Sequence, residues 1–597
     1  MNLADKFSFT WAGKSGATKN VLIPSKLTLD PKPDESIKWD ESENLFIEGD
    51  NLEVLKLLQK AYFEKVKMIY IDPPYNTGHD FVYNDDFSLP LNNYLKQTGQ
   101  QIASGESVTT NKETNGRYHS DWLSMMYPRL KLAWNLLRED GVIFVSIGED
   151  EVHHLRILMD EVFGEENFIG EIIVRSNPRG SQEPFGISSE HEYIICYAKF
   201  ESGKYSITGK DRDFEDEEFS YITNDGKRSR LLGLRKRGGD WRRADRPNMY
   251  FPFFVNPINK KVSIARSDKD DVEVFPVRPD GEESRWTWGI KTAQERINEL
   301  VAKEVSRKGE TVFDIYRIDL IESEDGSLKK EKLKSIFEDK TFNYQSARQH
   351  LKQMFGSSEI FDFPKPPELI QKLLAPLNEK DGIIMDFFGG SGTTAHAVLS
   401  QNKEDGGNRK FILVQLPEKF NQKSEGFKSE FKNISELAKE RIRRVIRGYG
   451  ENPQPINAGF KAFTLAESNY PENAFVFNLD KSSEENQQEF IVYLNKAKQS
   501  QLFNKENDIS IVYENIVKEG LSLNSKIEKI SLGRNNVYQI TDGEQQIFIC
   551  LENKIAPETI NVLIDRSYKD KLFICLESAL DDTMAANLAL NLDLKTI

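Results

Sequence analysis

At 597 residues the chain is too long for one ordinary domain and implies two to four folded units. Its 38% hydrophobic and 11% aromatic content excludes a disordered protein, and three cysteines without a CxxC pair exclude a disulfide framework or cysteine zinc site and suit a reducing cytoplasm. A net charge of −15 does not advertise a nucleic-acid binder, no apolar run could span a membrane, and the N-terminus lacks the apolar core of a signal peptide.

The first forty-odd residues are polar, carry Pro24, Pro31 and Pro33, and read as an extended arm. An α/β rhythm then begins: a strand at 45–47, a turn at Gly49-Asp50, a helix at 52–58 and a buried strand at 67–71 ending at Asp72. Residues 92–116, rich in Gln, Asn, Thr, Ser and Gly, read as a mobile loop. Helical spacing follows at 123–137, then apolar strands at 141–147 and 191–197. The rhythm lapses over 205–345, which predicts an inserted domain. Between Lys227 and Arg246 this insert holds nine basic residues, among them Arg235, Arg237, Arg242, Arg243 and Arg246, against Asp240 and Asp245. With Trp241, Tyr250 and Phe251 interleaved, that stripe is a candidate phosphate-binding surface despite the overall acidity; a solvated charged face is the alternative. The rhythm returns with a helix at 368–374, a strand at 382–386, a helix from Thr394, a strand at 410–415 and a basic helix at 434–447. After a Pro/Asn/Gly linker at 450–459, strands expected at 509–513, 546–551 and 571–576 alternate with helices and suggest a small separate α/β domain. Of the seven histidines, His153 and His154 are adjacent and would face different ways on a helix, so no metal site is expected.

Asp72-Pro73-Pro74-Tyr75 follows directly on a buried strand. A turn leaving the sheet would account for the prolines, but the residue types suit a particular chemistry. An aromatic exocyclic amine is a poor nucleophile because its lone pair is delocalised into the ring. Accepting both N–H hydrogens lets the nitrogen pyramidalise toward a methyl donor. Asp72 supplies one charged acceptor and the carbonyl of Pro73, held extended by the next proline, a second. Tyr75 offers a ring face to a flipped base. A carboxylate is too weak a base to deprotonate a neutral amine, so Asp72 orients it and meets the positive charge that arrives with the methyl.

The run Asp386-Phe387-Phe388-Gly389-Gly390-Ser391-Gly392-Thr393-Thr394 ends a strand and opens a helix. Its glycines admit a ligand close to the backbone, so a side chain at Gly392 would occupy the donor's place, and the helix N-terminus favours an anion. The carboxylate of S-adenosylmethionine qualifies, with Asp386 placed to take its ammonium group. Gly390-x-Gly392-x-x-Ala395 also fits a dinucleotide fingerprint. The Asp72 tetrapeptide, the basic insert and the lack of a hydride-transfer constellation count against an oxidoreductase. Gly13-Lys14-Ser15 lacks the rest of a phosphate-binding loop and is set aside.

These two motifs resemble those of the DNA amino-methyltransferases, in the order tetrapeptide, insert, glycine loop called the beta class. The stretches 71–87, 119–130 (His119-Ser-Asp-Trp), 246–250 (Arg-Pro-Asn-Met-Tyr) and 386–396, with His191-Glu-Tyr193, are similar to the modification (Mod) subunit of type III restriction-modification systems over residues 1 to 450. The resemblance implies an α/β fold: a Rossmann-like S-adenosylmethionine-dependent methyltransferase core with an inserted DNA-recognition domain and a small C-terminal α/β domain. The domains expected are 1–204 (arm and catalytic half), 205–345 (target recognition), 346–450 (cofactor half) and 451–597 (assembly or support). It implies a catalytic role for Asp72, Pro73, Pro74 and Tyr75. The cofactor would be held by Asp386, Phe388, Gly390, Gly392, Thr393, Lys365 and Pro366, with Asp50 facing its adenosine part. Many relatives place an acid for the ribose at the end of the following strand; this chain has Gln415 there, leaving Gln415 or Glu418. Implied partners are duplex DNA with a flipped adenine, a second copy in a homodimer, and a separate restriction (Res) subunit that cuts DNA and hydrolyses ATP.

Within the class, cytosine N4 methylation is the rival; relatives acting there more often begin the tetrapeptide with Ser. Methylation at cytosine carbon 5 needs a thiolate, and Cys196, inside an apolar strand, does not fit. From another class, the chain could be a DNA-binding scaffold with a vestigial centre.

Overall fold

Six successive buried residues from Val66 to Ile71, with no polar alternation, mark a strand covered on both faces, as parallel sheets require. In the computed structural model this strand lies near the middle of a ten-stranded sheet. The structure describes residues 8–77, 118–180, 186–211, 217–307, 309–323, 326–377, 379–420, 424–470, 482–483, 485–488, 491 and 508–597. The loop expected at 92–116 and the end of the 71–87 motif lie outside the described residues. The strands are β1 (Leu27–Pro31), β2 (Leu45–Glu48), β3 (Val66–Ile71), β4 (Leu137–Ile147), β5 (Phe168–Val174), β6 (Glu192–Ala198), β7 (Ile336–Phe337), β8 (Ile383–Asp386), β9 (Lys410–Gln415) and β10 (Lys461–Glu467). Their order across the sheet is β1-β10-β2-β9-β8-β3-β4-β6-β5-β7.

From β10 to β4 the neighbours are parallel, so their carboxyl ends share one edge. Asp50, Gln415, Asp386 and Asp72 all lie along it, where open α/β sheets bind ligands. β6 runs antiparallel to β4 and pairs Tyr193 with Ile147, so its first residue, Glu192, arrives at the same edge.

The helices that matter for the site are α1 (Lys14–Leu22), α2 (Asn51–Leu58), α3 (Tyr118–Leu136), α4 (Val152–Phe163), α5 (Tyr344–Phe355), α6 (Pro367–Leu374), α7 (Thr393–Asp405), α8 (Ile434–Arg447) and α9 (Asp508–Glu519). Local chemistry sets their starts: Asp50 accepts from Glu53 N at 3.0 Å to cap α2, Asn433 caps α8, and α6 begins at Pro367. Among the described residues no helix is long and apolar enough to cross a membrane.

Three expectations change. The N-terminal segment is not an arm, because 14–22 is helical and β1 pairs antiparallel with β10. Residues 509–513, an Ile/Val/Tyr run that reads as a strand, form the first turns of α9. There Val512, Tyr513, Ile516 and Val517 join the main core, and this tertiary packing overrides β propensity. The C-terminal boundary also moves. β10, beyond the expected 450–459 linker, pairs with both β1 and β2 inside the main sheet.

A five-stranded sheet (Lys526–Leu532, Asn535–Asp542, Gln545–Cys550, Leu572–Cys575, Asp593–Thr596) follows. Its Ile540, Ile549 and Ile574 belong to the same core as Val512, while Val537, Phe548 and Phe573 form a second small core. Two compact units result: 1–208 with 334–597, and 209–333. The second unit, close to the expected 205–345, has its own core of Leu234, Phe251, Phe253, Val255, Trp286 and Ile315. A four-stranded and a three-stranded antiparallel sheet build it.

Candidate functional site

Asp72 leaves the end of β3, and the following loop is held from several sides. The Trp122 indole on α3 donates to the Pro74 carbonyl at 2.8 Å, while among the described residues no donor reaches the Pro73 carbonyl. Asn76, buried in the left-handed region at φ 61°, donates to Glu151 Oε1 at 2.6 Å. Glu151, itself fully buried, also pairs with His119 Nδ1 at 2.7 Å and His154 Nδ1 at 2.8 Å. These three side chains bring metal-capable atoms within 4.8 Å of one another. The two Nδ1 atoms and the two Glu151 oxygens are engaged in the hydrogen bonds just given, which clamp the loop.

Tyr75 packs its ring against Gly148, where a Cβ would stand 2.9 Å from Cδ2. Its hydroxyl accepts from Lys365 Nζ at 2.7 Å and donates to Glu192 Oε2 at 3.2 Å. Lys365 also donates to Glu192 Oε2 at 3.0 Å and pairs with Asp72 Oδ1 at 3.2 Å. Tyr344 OH donates to Glu192 Oε2 at 2.5 Å. Sequence reasoning placed Lys365 with the cofactor, and it missed Glu192 as a site residue and Tyr344 altogether. The signal for Glu192 was a carboxylate beginning an otherwise apolar strand. Burial pushes Asp72 above the usual carboxylate range, partly offset by Lys365 and reinforced by Glu192. For Lys365, burial pulls the pKa down, but Asp72 and Glu192 outweigh it and keep the ammonium charged. Tyr75 is held well above its ordinary value, chiefly by burial, and stays a neutral phenol.

The neighbouring strand, β8, ends at Asp386. Its carboxylate accepts from Phe388 N at 2.9 Å and from Thr394 Oγ1 at 2.5 Å, and burial raises it to about 7. Phe388 is buried in the main core. Gly390 has φ 51° and nothing nearer to a built Cβ than Phe361 Cζ at 3.7 Å, so space opens beside it. Gly392, at φ 84°, does not face that space: its Cβ would meet the Ala438 carbonyl on α8 at 3.2 Å. Glycine is needed there for the backbone and for close packing of the helix start, not because a side chain would fill the donor's place.

Thr393 Oγ1 donates to the Lys365 carbonyl at 3.2 Å, and Pro366 caps α6, so the 365–366 segment joins the two half-sites. Arg441 on α8, also missed from sequence, is fully buried beneath the loop. It donates to Ser391 Oγ at 2.8 Å and to Thr393 Oγ1 at 2.7 Å. Among the described residues no carboxylate lies within 4 Å of its guanidinium, its Nε has no partner, and burial lowers its pKa to about 10.

Of the two ribose candidates, Gln415 is already engaged: Oε1 accepts from Gly390 N at 2.6 Å and Nε2 donates to the Leu416 carbonyl. Glu418 is half-buried, raised to about 7 by burial, and its carboxylate has no partner among the described residues. Asp50 caps α2 through one oxygen and lies 3.5 Å from the buried Arg129 through the other. That second oxygen is buried and has no hydrogen-bond partner among the described residues.

In the 209–333 unit the basic stripe divides. Arg237, Arg242 and Arg246 are exposed, and Arg243 is exposed but paired with Glu283 at 2.9 Å. Arg235 is buried, its backbone bridged to Trp286, and burial lowers its pKa. It belongs to the buried part of the insert, not to a surface that could meet phosphate.

The sequence profile of a DNA methylase family, the N6/N4 methyltransferases, matches residues 66–426. The type III restriction-modification enzyme EcoPI Mod subunit of Escherichia phage P1 is 37% identical over 74% of this chain and 68% of its own. The type II methyltransferase M.KpnI of Klebsiella pneumoniae is 34% identical over 68% of this chain and 88% of its own. The EcoP15I Mod subunit of Escherichia coli is 31% identical over 77% and 71%.

Proposed function

The chain belongs to the N6/N4 DNA methylase family, with the Mod subunits of type III restriction-modification enzymes, and we propose that it methylates the N6 amine of an adenine turned out of duplex DNA. One observation carries this reading. Asp72, Tyr75 and the Pro73 carbonyl, which no donor among the described residues reaches, stand at the same sheet edge as an open glycine loop.

S-adenosylmethionine fits the second half of that edge. The space beside Gly390, the buried cation Arg441 behind Ser391 and Thr393, and the unpartnered Glu418 carboxylate match its carboxylate and ribose hydroxyls. Asp386 faces the same loop and would take the ammonium end. Bound there, the cofactor supplies an electrophilic methyl group on its sulfonium. Asp72 accepts one hydrogen of the target amine and the Pro73 carbonyl the other, which directs the nitrogen lone pair out of the ring plane. Tyr75 supports the flipped base. The negative charge on Asp72 then meets the positive charge developing on nitrogen, and the surplus proton leaves after transfer.

An acid at position 72, where cytosine-directed relatives more often carry serine, supports adenine over cytosine. The exposed Arg237, Arg242 and Arg246 support DNA contact by the insert. A homodimer and a separate restriction subunit complete the proposed assembly. Sequencing DNA from a host expressing the chain, by a method that distinguishes N6-methyladenine from N4-methylcytosine, tests the reading. N6-methyladenine at one short motif is expected. N4-methylcytosine would overturn the choice of base, and unmodified DNA the activity itself.

A further inference from the structure

Lys365 has an unusual position in the molecule. Its backbone belongs to the donor half, tied to the helix start by Thr393, yet its side chain crosses to the tetrapeptide. Two of the N–H bonds of its ammonium reach Tyr75 OH at 2.7 Å and Glu192 Oε2 at 3.0 Å, and the charge stands 3.2 Å from Asp72 Oδ1 as an ion pair. The two sides of Asp72 differ, for Oδ1 is buried beside Lys365 while the side chain as a whole keeps 25% exposure.

We propose that Lys365 is a positioning residue for the methyl acceptor: it pins one oxygen of Asp72 so that the other is presented to the target amine, and Glu192 with Tyr344 holds Lys365 in place. The inference rests on the amine-methyltransferase reading above. Glu192 is nearly fully buried and accepts from Lys365, Tyr75 and Tyr344 through the same oxygen, which leaves the ammonium between two carboxylates. Among the described residues, the titratable and charged groups around Asp72 are Lys365, Glu192, Tyr75, Tyr344, Tyr70 and Asp386. Lys365 is the one cation among them. Without it, a buried Asp72 beside Glu192 takes up a proton, loses the charge that meets the developing cation, and turns a donor toward the amine in place of an acceptor.

The test compares single-turnover methylation across pH for wild type, Lys365→Met and Lys365→Arg, with S-adenosylhomocysteine binding measured by calorimetry on the same preparations. In Lys365→Met the acid limb should move up by about one to three pH units, the effect of losing an opposite charge at this range, so that the deficit shrinks as pH rises. Affinity for S-adenosylhomocysteine should stay within a few-fold of wild type, and Lys365→Arg should restore the acid limb. Should Lys365→Met fail to fold, Lys365→Met/Glu192→Gln also removes the buried Glu192 charge that the lysine would leave unpaired, and it should move the limb in the same direction. An unchanged acid limb, or loss of S-adenosylhomocysteine affinity without a pH effect, would return Lys365 to the donor side. A wild-type chain that methylates no DNA would instead refute the underlying reading, whatever the variants do.

Discussion

Gly148 shows how closely the site is fitted around one ring. A methyl group there would stand 2.9 Å from Tyr75 Cδ2, so the ring must shift by roughly half an ångström to reach ordinary contact. Gly148→Ala should therefore slow single-turnover methylation on the order of tenfold while S-adenosylhomocysteine affinity and thermal unfolding stay near wild type. A normal rate would mean that Tyr75 needs no fixed seat. The tetrapeptide and glycine loop were legible in the sequence because each concentrates unusual residue types at a strand end. The segment of Lys365 was legible but its reach to Asp72 and Tyr75 was not, because sequence does not say where a long side chain goes. Arg441 left a trace that went unread. With Leu437, Ala438, Ile442 and Val445 it lies on the buried stripe of α8, where an arginine without a carboxylate beside it calls for an explanation.

At the scale of elements, largely apolar strands such as β3 and β9 were plain from sequence because burial on both faces removes polar alternation. α9 was misread for a related reason: its Ile/Val-rich start carries strand propensity, and only packing against the core makes it helical. The basic stripe was legible as composition but not as surface, since one arginine of a run can turn inward at the edge of a core. Its two parts should behave differently. Arg237, Arg242 and Arg246 changed together to Ala should weaken DNA binding and flatten its salt dependence by about 0.9 units of log–log slope for each phosphate contact removed. Arg235→Ala should instead lower the unfolding temperature, with the salt slope nearly unchanged. Filter binding across a salt series and calorimetric unfolding separate the two, and a slope loss from Arg235→Ala would put its guanidinium on the outside.

For the whole molecule, the C-terminal part is less separable than its linker-like approach suggests. β10 follows the 450–459 stretch and inserts between β1 and β2, so a chain cut after Asn452 loses an interior strand of the main sheet together with α9. Truncation there should abolish cooperative thermal unfolding; a soluble, cooperatively folded product would show that the first nine strands close a core by themselves. The break was invisible in sequence because strand order is set by pairings between distant segments, and β1 and β10 lie over four hundred residues apart. What joins the scales is the single sheet edge on which an amine-orienting carboxylate and a donor-binding loop stand side by side. The most direct test of that account is Asp72→Ala, assayed for single-turnover DNA methylation and, on the same preparation, for S-adenosylhomocysteine binding. The account predicts a loss of rate on the order of a thousandfold or more with donor affinity within a few-fold of wild type. Wild-type turnover in that variant would contradict it.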